Sequence, residues 1–177
     1  MNHEEFLKSI NRWDEHTFDT PNRAVQAWKD MTAGYYIDLP TEMTVFTNEG
    51  YYSPVGMHKI QFSSLCEHHM LPFVGEATVV YIPTDKIVGL SKLPRVVDCY
   101  SKRLQTQERL TKQIVDFLDE HLTPLGAFAK LESWHSCVSC RGILARNAST
   151  VTAYGTGRLS DLHEQVKVCS LLFGDAP

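Results

Sequence analysis

The sequence lacks the features that would place a protein in a membrane or on nucleic acid. No apolar run among its 177 residues approaches the ~20 residues that a membrane-spanning helix requires. The N-terminus, MNHEEFLKSI, is acidic and amphipathic, unlike a secretory signal peptide. The net charge of −4 disfavours general affinity for nucleic acid or for anionic lipid. These absences predict a cytoplasmic protein without a nucleic-acid or membrane partner.

The sequence also lacks an even set of cysteines, and the odd count of five argues against a disulfide scaffold. The five cysteines are spread along the chain as Cys66, Cys99, Cys137, Cys140 and Cys169. In a reducing compartment such residues are thiols or metal ligands.

The sequence has no repeats or low-complexity tracts, and its length suits one hydrophobic core. We therefore expect a single domain over residues 1–177.

Short periodic segments predict a mixed α+β fold. Thr20-Pro21 is typical of a helix start, and apolar residues at helical spacing continue to Gly34. Apolar alternation and short apolar runs predict strands over residues 57–64, 77–82, 127–138, 142–147 and 150–154. Further helices are expected over residues 102–122 and 161–172. Because strands and helices do not alternate regularly, the pattern favours an antiparallel β-sheet with helices packed on one face.

The helix expected over residues 102–122 has an uneven apolar face. Its second half is cleanly amphipathic, but Arg103, Gln107 and Thr111 interrupt the apolar side in the first half. Glu108 lies at the edge of that side. Polar side chains on a buried face need hydrogen-bond partners. This end of the helix therefore either emerges into solvent or lines a polar pocket.

Two short motifs contain the candidate metal ligands. Cys66 and His69 are three residues apart in SLCEHHMLPF, so a thiolate and an imidazole can converge on one cation if the backbone turns. In SWHSCVSCRG, a strand would place His135 and Cys137 on the same side. Cys66, His69 and Cys137 would leave a fourth position for water, as in catalytic zinc sites. With Cys140 as a fourth ligand, the same residues would form a closed structural site.

A third motif offers groups that could bind an anion. The segment VGLSKLPR contains Ser91, Lys92 and Arg95, whose hydroxyl and cationic groups could hold phosphate oxygens. Arg141 follows the second cysteine motif and offers another cation. Taken alone, the segment VGLSKLPR is more often a solvated loop, and Arg141 is equally compatible with a place on the surface.

These motifs occur together in a known family. SLCEHHMLPF, YIP, GLSKLPR, RLQTQERLTKQI, HSCVSCRG and STVTAYG resemble, in order and spacing, the signature blocks of GTP cyclohydrolase I over residues 64–159. TPNR near the N-terminus resembles a further element of that family. The resemblance implies the tunnelling fold (T-fold), in which antiparallel sheets backed by helices assemble into a toroidal β-barrel, usually a homodecamer with active sites at subunit interfaces. A short N-terminal helical region, residues 1–34, would precede a catalytic core of about residues 57–159.

The resemblance also implies a reaction, the hydrolytic opening of the imidazole ring of GTP. C8 leaves as formate, and the ribose rearranges to give 7,8-dihydroneopterin triphosphate, from which folate, biopterin or 7-deazaguanine routes can begin. The matching zinc ligands are Cys66, His69 and Cys137. The matching proton-transfer residues are His68 and His135. Glu108 matches the carboxylate that anchors guanine, with Gln107 beside it. The matching triphosphate-binding residues are Ser91, Lys92, Arg95, Arg141 and, from a neighbouring subunit, Arg23.

Two positions depart from the family pattern. Gln26 stands where a basic residue is common three residues after Arg23, which weakens the expected phosphate contact across the subunit boundary. Cys140 stands where Met or Ala is frequent, which keeps the closed four-ligand site as an alternative.

Two other functions are compatible with parts of the pattern. The first is an enzyme of the same fold that acts on a related purine or pterin, such as the nitrile reductase of the deazaguanine pathway. That reductase uses a cysteine nucleophile and NADPH without zinc, so the complete ligand set argues against it. The second is a structural zinc protein or a non-catalytic ligand-binding relative, which would have no need of His68, His135 and Glu108. The sequence therefore favours a zinc-dependent GTP cyclohydrolase I.

Overall fold

The computed structural model describes residues 1–174 as seven α-helices and seven strands. The helices are α1 (His3–Ser9), α2 (Thr20–Met31), α3 (Leu39–Glu42), α4 (Lys92–Ser101), α5 (Gln107–Leu122), α6 (Ser136–Ser139) and α7 (Leu162–Phe173), with 3-10 turns at Ala33–Tyr36 and Gly157–Leu159. The strands are β1 (Val45–Thr47), β2 (Val55–Cys66), β3 (Pro72–Ile82), β4 (Lys86–Val88), β5 (Leu104–Gln105), β6 (Gly126–His135) and β7 (Thr150–Gly155). Within this described part, no helix is long and apolar enough to span a bilayer.

Five strands form the main sheet in the order β5-β2-β3-β6-β7, while β1 pairs with β4. Strands β2, β3, β6 and β7 are antiparallel neighbours, whereas β5 runs parallel to β2. The pairing of β3 with β6 is continuous from Phe73 opposite His135 to Ile82 opposite Gly126. The strands expected over residues 57–64, 77–82 and 150–154 are confirmed as parts of β2, β3 and β7.

Different helices cover the two faces of this sheet. On one face, Ala77, Val79 and Tyr81 share a buried cluster with the apolar residues of α4 and α5. Because side chains alternate along a strand, Val80 and Ile82 point to the opposite face, where they cluster with α7. The expected α+β fold with an antiparallel sheet backed by helices is confirmed. The exception is α7, which does not lie on the same face as α4 and α5.

The helix expected from residue 102 begins later, at Gln107. Thr106 has an extended backbone, and its Oγ1 accepts a hydrogen bond from the N–H of Arg109 at 3.3 Å, so it caps α5. Residues 104 and 105 form β5 instead. The core face of α5 includes the fully buried Leu110 and Ile114, which are one helical turn apart.

Two parts of the secondary-structure prediction were wrong. The loop expected at VGLSKLPR ends at Ser91, because α4 begins at Lys92. Pro94 lies in the first turn of α4, where a missing N–H is tolerated. The segment 142–147 is not a strand, because Gly142 and Leu144 have left-handed backbones with φ of 62° and 55°.

One end of the sheet collects most of the candidate catalytic and metal-binding residues. β2 ends at Cys66, β3 begins beside it, and β6 ends at His135, opposite Phe73. Residue Gln105 of β5 pairs with Cys66, so α5 begins at the same end of the sheet. Two distant segments of the chain, around residues 66 and 135, therefore meet next to the N-terminus of α5.

Candidate active site

A tight turn after β2 brings Cys66 and His69 together. The carbonyl oxygen of Cys66 accepts hydrogen bonds from the N–H groups of His69 (3.3 Å) and Met70 (2.8 Å). Met70 has a left-handed backbone with φ of 52°, which lets the chain reverse into β3. As a result, His69 Nδ1 lies 3.7 Å from Cys66 Sγ.

Cys137 approaches this turn from the other strand. The strand expected over residues 127–138 ends at His135, and Cys137 lies in the short helix α6 rather than on a strand face. The Ser136 hydroxyl donates a hydrogen bond to the carbonyl oxygen of Pro72, which fixes α6 against the start of β3. The potential ligand atoms of Cys66, His69 and Cys137 all lie within 4.8 Å of one another.

These three residues form a group that could hold a metal ion. Within residues 1–174 they are the one cluster of three or more such side chains, and the exposed Cys140 is not part of it. Burial and the neighbouring Cys66 sulfur raise the pKa of the Cys137 thiol. A bound cation would reverse that effect, because coordination favours the thiolate. The geometry supports a three-ligand site over the closed four-ligand alternative.

His68 lies beside the cluster but outside it. Its side chain is 66% exposed, and its Nδ1 lies 3.8 Å from Cys66 Sγ. The preceding residue, Glu67, forms an ion pair with Arg109 of α5, which lowers the pKa of the Glu67 carboxyl. Arg109 also donates to the carbonyl oxygen of Leu104 at 3.0 Å. The turn that contains His68 is thus anchored to the first turns of α5.

His135 is held on two sides. Its ring stacks on the fully buried Phe73, with centroids 4.5 Å apart and planes 5° from parallel. Its Nε2 lies 2.8 Å from Oε1 of Gln107. Burial lowers the pKa of His135, and the negative charge of Glu108 partly opposes that shift. Burial therefore favours the neutral form of His135, and the two contacts orient its imidazole next to the metal-binding group.

Gln107 and Glu108 occupy successive positions in the first turn of α5 but differ in exposure. Glu108 is exposed at the helix N-terminus, where a carboxylate is favoured by the helix dipole. Gln107 is only 2% exposed. With the buried Thr111, it occupies the polar part of the helix face, and both side chains have hydrogen-bond partners. The polar end of the apolar face is thus buried and does not emerge into solvent.

The expected phosphate-binding residues do not all reach this site within one chain. Ser91 precedes α4, and Arg95 pairs with Glu42 at 3.1 Å. α4 has 10 residues and is about 15 Å long. Its C-terminal end is the one near the metal-binding end of the sheet, because Arg103, just after α4, accepts a hydrogen bond from the Ser64 hydroxyl through its carbonyl oxygen. Ser91 and Lys92 therefore lie roughly a helix length from that end, and Arg95 lies about 9 Å from it along the helix.

The two remaining arginines differ in position. Arg141 lies close to the cluster, since its charge acts on the Cys137 thiol. Arg23 projects from α2 and pairs with Asp19, with Nε and Oδ2 2.9 Å apart. Gln26, at the position where a basic residue was expected, donates a hydrogen bond to Asp30 at 2.8 Å.

Several supporting residues were not found from the sequence. Phe73, Ser133 and Arg109 contact or anchor the candidate residues, and each lies inside one of the quoted motifs, yet none was assigned a role there. For Ser133 a signal existed, because it shares a strand face with His135 two residues later. Arg109 gave no such signal, since its partner Glu67 lies 42 positions away in sequence.

Comparison with known proteins agrees with this arrangement. The family described as GTP cyclohydrolase I matches residues 2–172. The GTP cyclohydrolase 1 of Bartonella quintana is 45% identical over 140 residues, which cover 78% of this chain and 68% of that protein. The GTP cyclohydrolase 1 of Pelagibacter ubique is 45% identical over 162 residues, covering 87% of this chain and 80% of that protein.

A solved structure supports the same fold at much lower identity. The apo form of an archaeosine synthase QueF-like protein matches 59% of this chain and 94% of its own, with a TM-score of 0.50 and 17% identity. That likeness shows a shared fold, the T-fold expected from the sequence. The family match and the relatives at 45% identity together establish that this chain belongs to the GTP cyclohydrolase I family.

Proposed function

We propose that this protein is a zinc-dependent, cytoplasmic GTP cyclohydrolase I, with one domain over residues 1–177. It hydrolyses the imidazole ring of GTP, releases C8 as formate and yields 7,8-dihydroneopterin triphosphate. The observation that carries the proposal is the convergence of Cys66, His69 and Cys137 beside His135 in a chain of this family.

Two thiolates and one imidazole are donors that suit zinc. With Zn–S near ~2.3 Å and Zn–N near ~2.0 Å, tetrahedral coordination separates ligand atoms by roughly 3.5–3.8 Å. The 3.7 Å between Cys66 Sγ and His69 Nδ1 fits this separation, and Cys137 needs only a small side-chain movement to complete the set. Bound zinc supplies the Lewis acidity that makes water an effective nucleophile towards C8 near neutral pH.

His68 and His135 transfer protons during ring opening. Breaking two C–N bonds requires groups that take up and release protons near neutral pH, which suits imidazole. His135 is oriented by Phe73 and Gln107, so it can act on a fixed position of the bound substrate. His68 is exposed and can exchange protons with solvent.

Glu108 selects the base of the substrate. A carboxylate can accept hydrogen bonds from N1–H and the exocyclic amine of guanine together, a pattern that adenine does not offer. Glu108 is exposed at the start of α5 and close enough for its charge to act on His135. A guanine bound to Glu108 would therefore lie beside the imidazole that acts on its ring.

The triphosphate site combines residues of neighbouring subunits. Arg141 binds phosphate from the chain that holds the metal, whereas Ser91, Lys92 and Arg95 serve the site of another subunit, and Arg23 contributes across a boundary. The separation along α4 supports this arrangement. So do the edges of the sheet, because β7 pairs only with β6 and most of β2 lacks a second neighbour within the described chain. Such edges can join in a ring, the homodecameric toroid expected from the family.

Metal content and GTP turnover, measured on the same samples, test this function. The purified protein should contain about one zinc per chain and convert GTP to formate and a pterin that fluoresces after oxidation. Cys137→Ser should lose zinc and turnover together, whereas the matched Cys140→Ser should keep both. Folded, zinc-replete protein that leaves GTP intact would refute the enzyme assignment, and zinc loss in Cys140→Ser would favour the closed site.

A further inference from the structure

The side-chain amide of Gln107 is buried at the centre of a hydrogen-bond network. Its Nε2 lies 3.1 Å from the carbonyl oxygen of Leu131, 3.0 Å from that of Thr150 and 3.1 Å from Oγ1 of Thr152. Its Oε1 lies 2.6 Å from the Ser133 hydroxyl and 2.8 Å from Nε2 of His135. Both hydrogens of the amide and both lone pairs of its oxygen are thus engaged.

The network fixes which way the amide points. The carbonyl oxygens of Leu131 and Thr150 can only accept hydrogen bonds, so the atom of Gln107 that faces them must be the NH₂ group. The oxygen of the amide therefore faces Ser133 and His135. An amide oxygen only accepts, so Nε2 of His135 must carry the hydrogen. In the neutral imidazole, Nδ1 is consequently the acceptor nitrogen.

The ring plane of His135 is fixed independently of this hydrogen bond. Phe73 is fully buried, and its ring lies parallel to the imidazole. The ring of Phe73 also packs edge-on against the ring of Phe62, with the two ring centroids 6.1 Å apart. A rotation of 180° about the Cβ–Cγ bond would keep this stacked plane but exchange Nδ1 with Cδ2 and Nε2 with Cε1. The bond to Gln107 opposes that rotation, because it anchors Nε2 at the side of α5.

We propose that Gln107 is a positioning residue, which sets the Nε2–H tautomer and the orientation of His135 and leaves Nδ1 directed away from α5 as the acceptor. This inference rests on the proposed function only in giving His135 a part in the reaction. It replaces the expectation that Gln107 binds substrate, because no donor or lone pair of its amide remains for a ligand. Of these two neighbouring residues, the exposed Glu108 is the one that can bind guanine.

The tautomer can be measured without turnover. In solid-state ¹⁵N NMR of zinc-loaded protein labelled in histidine, His135 is assigned by the signal that disappears in His135→Asn. Wild type should show a protonated Nε2 and an unprotonated Nδ1. A protonated Nδ1 with an unprotonated Nε2 would overturn the inference whether or not the protein hydrolyses GTP. Absent turnover with the expected tautomer would instead count against the proposed function alone.

Two variants then test the role of the amide. Gln107→Met keeps the length of the side chain but removes the acceptor, so the Nε2–H signature should be lost, and kcat should fall about 100-fold with KM for GTP changed less than about threefold. Gln107→Glu keeps an acceptor for His135, and its carboxyl, protonated because it faces two backbone carbonyl oxygens, keeps a donor towards them, so this variant should retain the tautomer and more of kcat. A large rise in KM with unchanged kcat and tautomer would show that Gln107 contacts substrate and would overturn the proposal.

A matched control separates positioning from loss of stability. Gln165 of α7 is also buried, and its Nε2 donates to the carbonyl oxygen of Leu159 at 2.8 Å. Gln165→Met removes a buried amide away from the sheet end that holds His135, so it should leave the tautomer and kcat unchanged. If Gln107→Met does not fold, the wild-type tautomer and Gln107→Glu still decide the matter. Equal effects on His135 in both glutamine-to-methionine variants would contradict a specific role for Gln107.

Discussion

Gly75→Ala should destabilise the protein and disturb the candidate active site, although Gly75 is not itself one of the candidate metal-binding or catalytic residues. Gly75 lies in β3 opposite Ser133, two residues from the pair of Phe73 and His135. A Cβ at position 75 would lie 2.0 Å from the carbonyl oxygen of Glu132 and 2.6 Å from Cβ of Ser133. Only glycine allows β3 and β6 to approach this closely.

The size of the effect follows from that contact. An ordinary van der Waals separation is at least 3.4 Å, so the two strands must move apart by about 1.4 Å near Glu132. Backbone cannot rotate away as a flexible side chain can, and overpacking of this kind costs about 1–3 kcal/mol. Weakened ladder hydrogen bonds, each contributing about 1 kcal/mol, bring the expected loss to about 2–4 kcal/mol.

Urea unfolding at one fixed protein concentration measures this loss. With a slope of about 2 kcal/mol per molar urea, the midpoint should fall by about 1–2 M. Gly89→Ala is the matched control, because its Cβ would meet nothing closer than 3.7 Å and the change in the unfolded chain is the same. Since Ser133 would move, kcat should also fall, by about tenfold. A Gly75→Ala midpoint equal to that of Gly89→Ala would refute the reasoning.

Three further predictions follow from the site and the core. His69→Ala should lose zinc by metal analysis, whereas His68→Ala should keep most of its zinc but lose most of its turnover; equal zinc loss in both would mean that their roles are wrongly divided. Glu108→Gln replaces an acceptor with a mixed donor and acceptor, so KM for GTP should rise at least tenfold in steady-state kinetics; an unchanged KM would exclude it from base recognition. Burial raises the pKa of Tyr81 above the ordinary value near 10, so its contribution to stability is present below that pH and is lost as pH rises towards the folded-state pKa. Unfolding measured between pH 8 and pH 11 should therefore show a shallower alkaline loss in Tyr81→Phe than in wild type, and identical slopes would contradict this cause.

The sequence was sufficient to predict the candidate metal-binding group and the four antiparallel strands of the main sheet. The three-residue spacing of Cys66 and His69 indicates two metal ligands. The match to the ordered family motifs indicates the third, Cys137, which is distant in sequence. The strands of the sheet could be predicted because their apolar residues alternate or form short apolar runs. Each of these signals is local or is repeated in the family pattern.

Other features depend on contacts that no local pattern records. The hydrogen bond between Gln107 and His135 joins a helix and a strand 28 positions apart, so neither residue carries a sign of the other. The left-handed backbones at Gly142 and Leu144 prevent the strand that the sequence pattern predicts over residues 142–147. Pro94 suggests a loop, but in the first turn of α4 its missing N–H costs nothing. The distance between Ser91 and the metal-binding group likewise arises only when α4 is placed on the sheet.

GTP labelled with ¹⁴C at C8 provides the most direct test of the central claim, that this protein opens the imidazole ring at the site of Cys66, His69 and Cys137. With zinc-loaded wild type, the label should be released as formate, one for each GTP consumed, while Cys137→Ser releases none. Label that stays in the purine or pterin product, or no consumption of GTP by folded, zinc-loaded protein, would contradict the account.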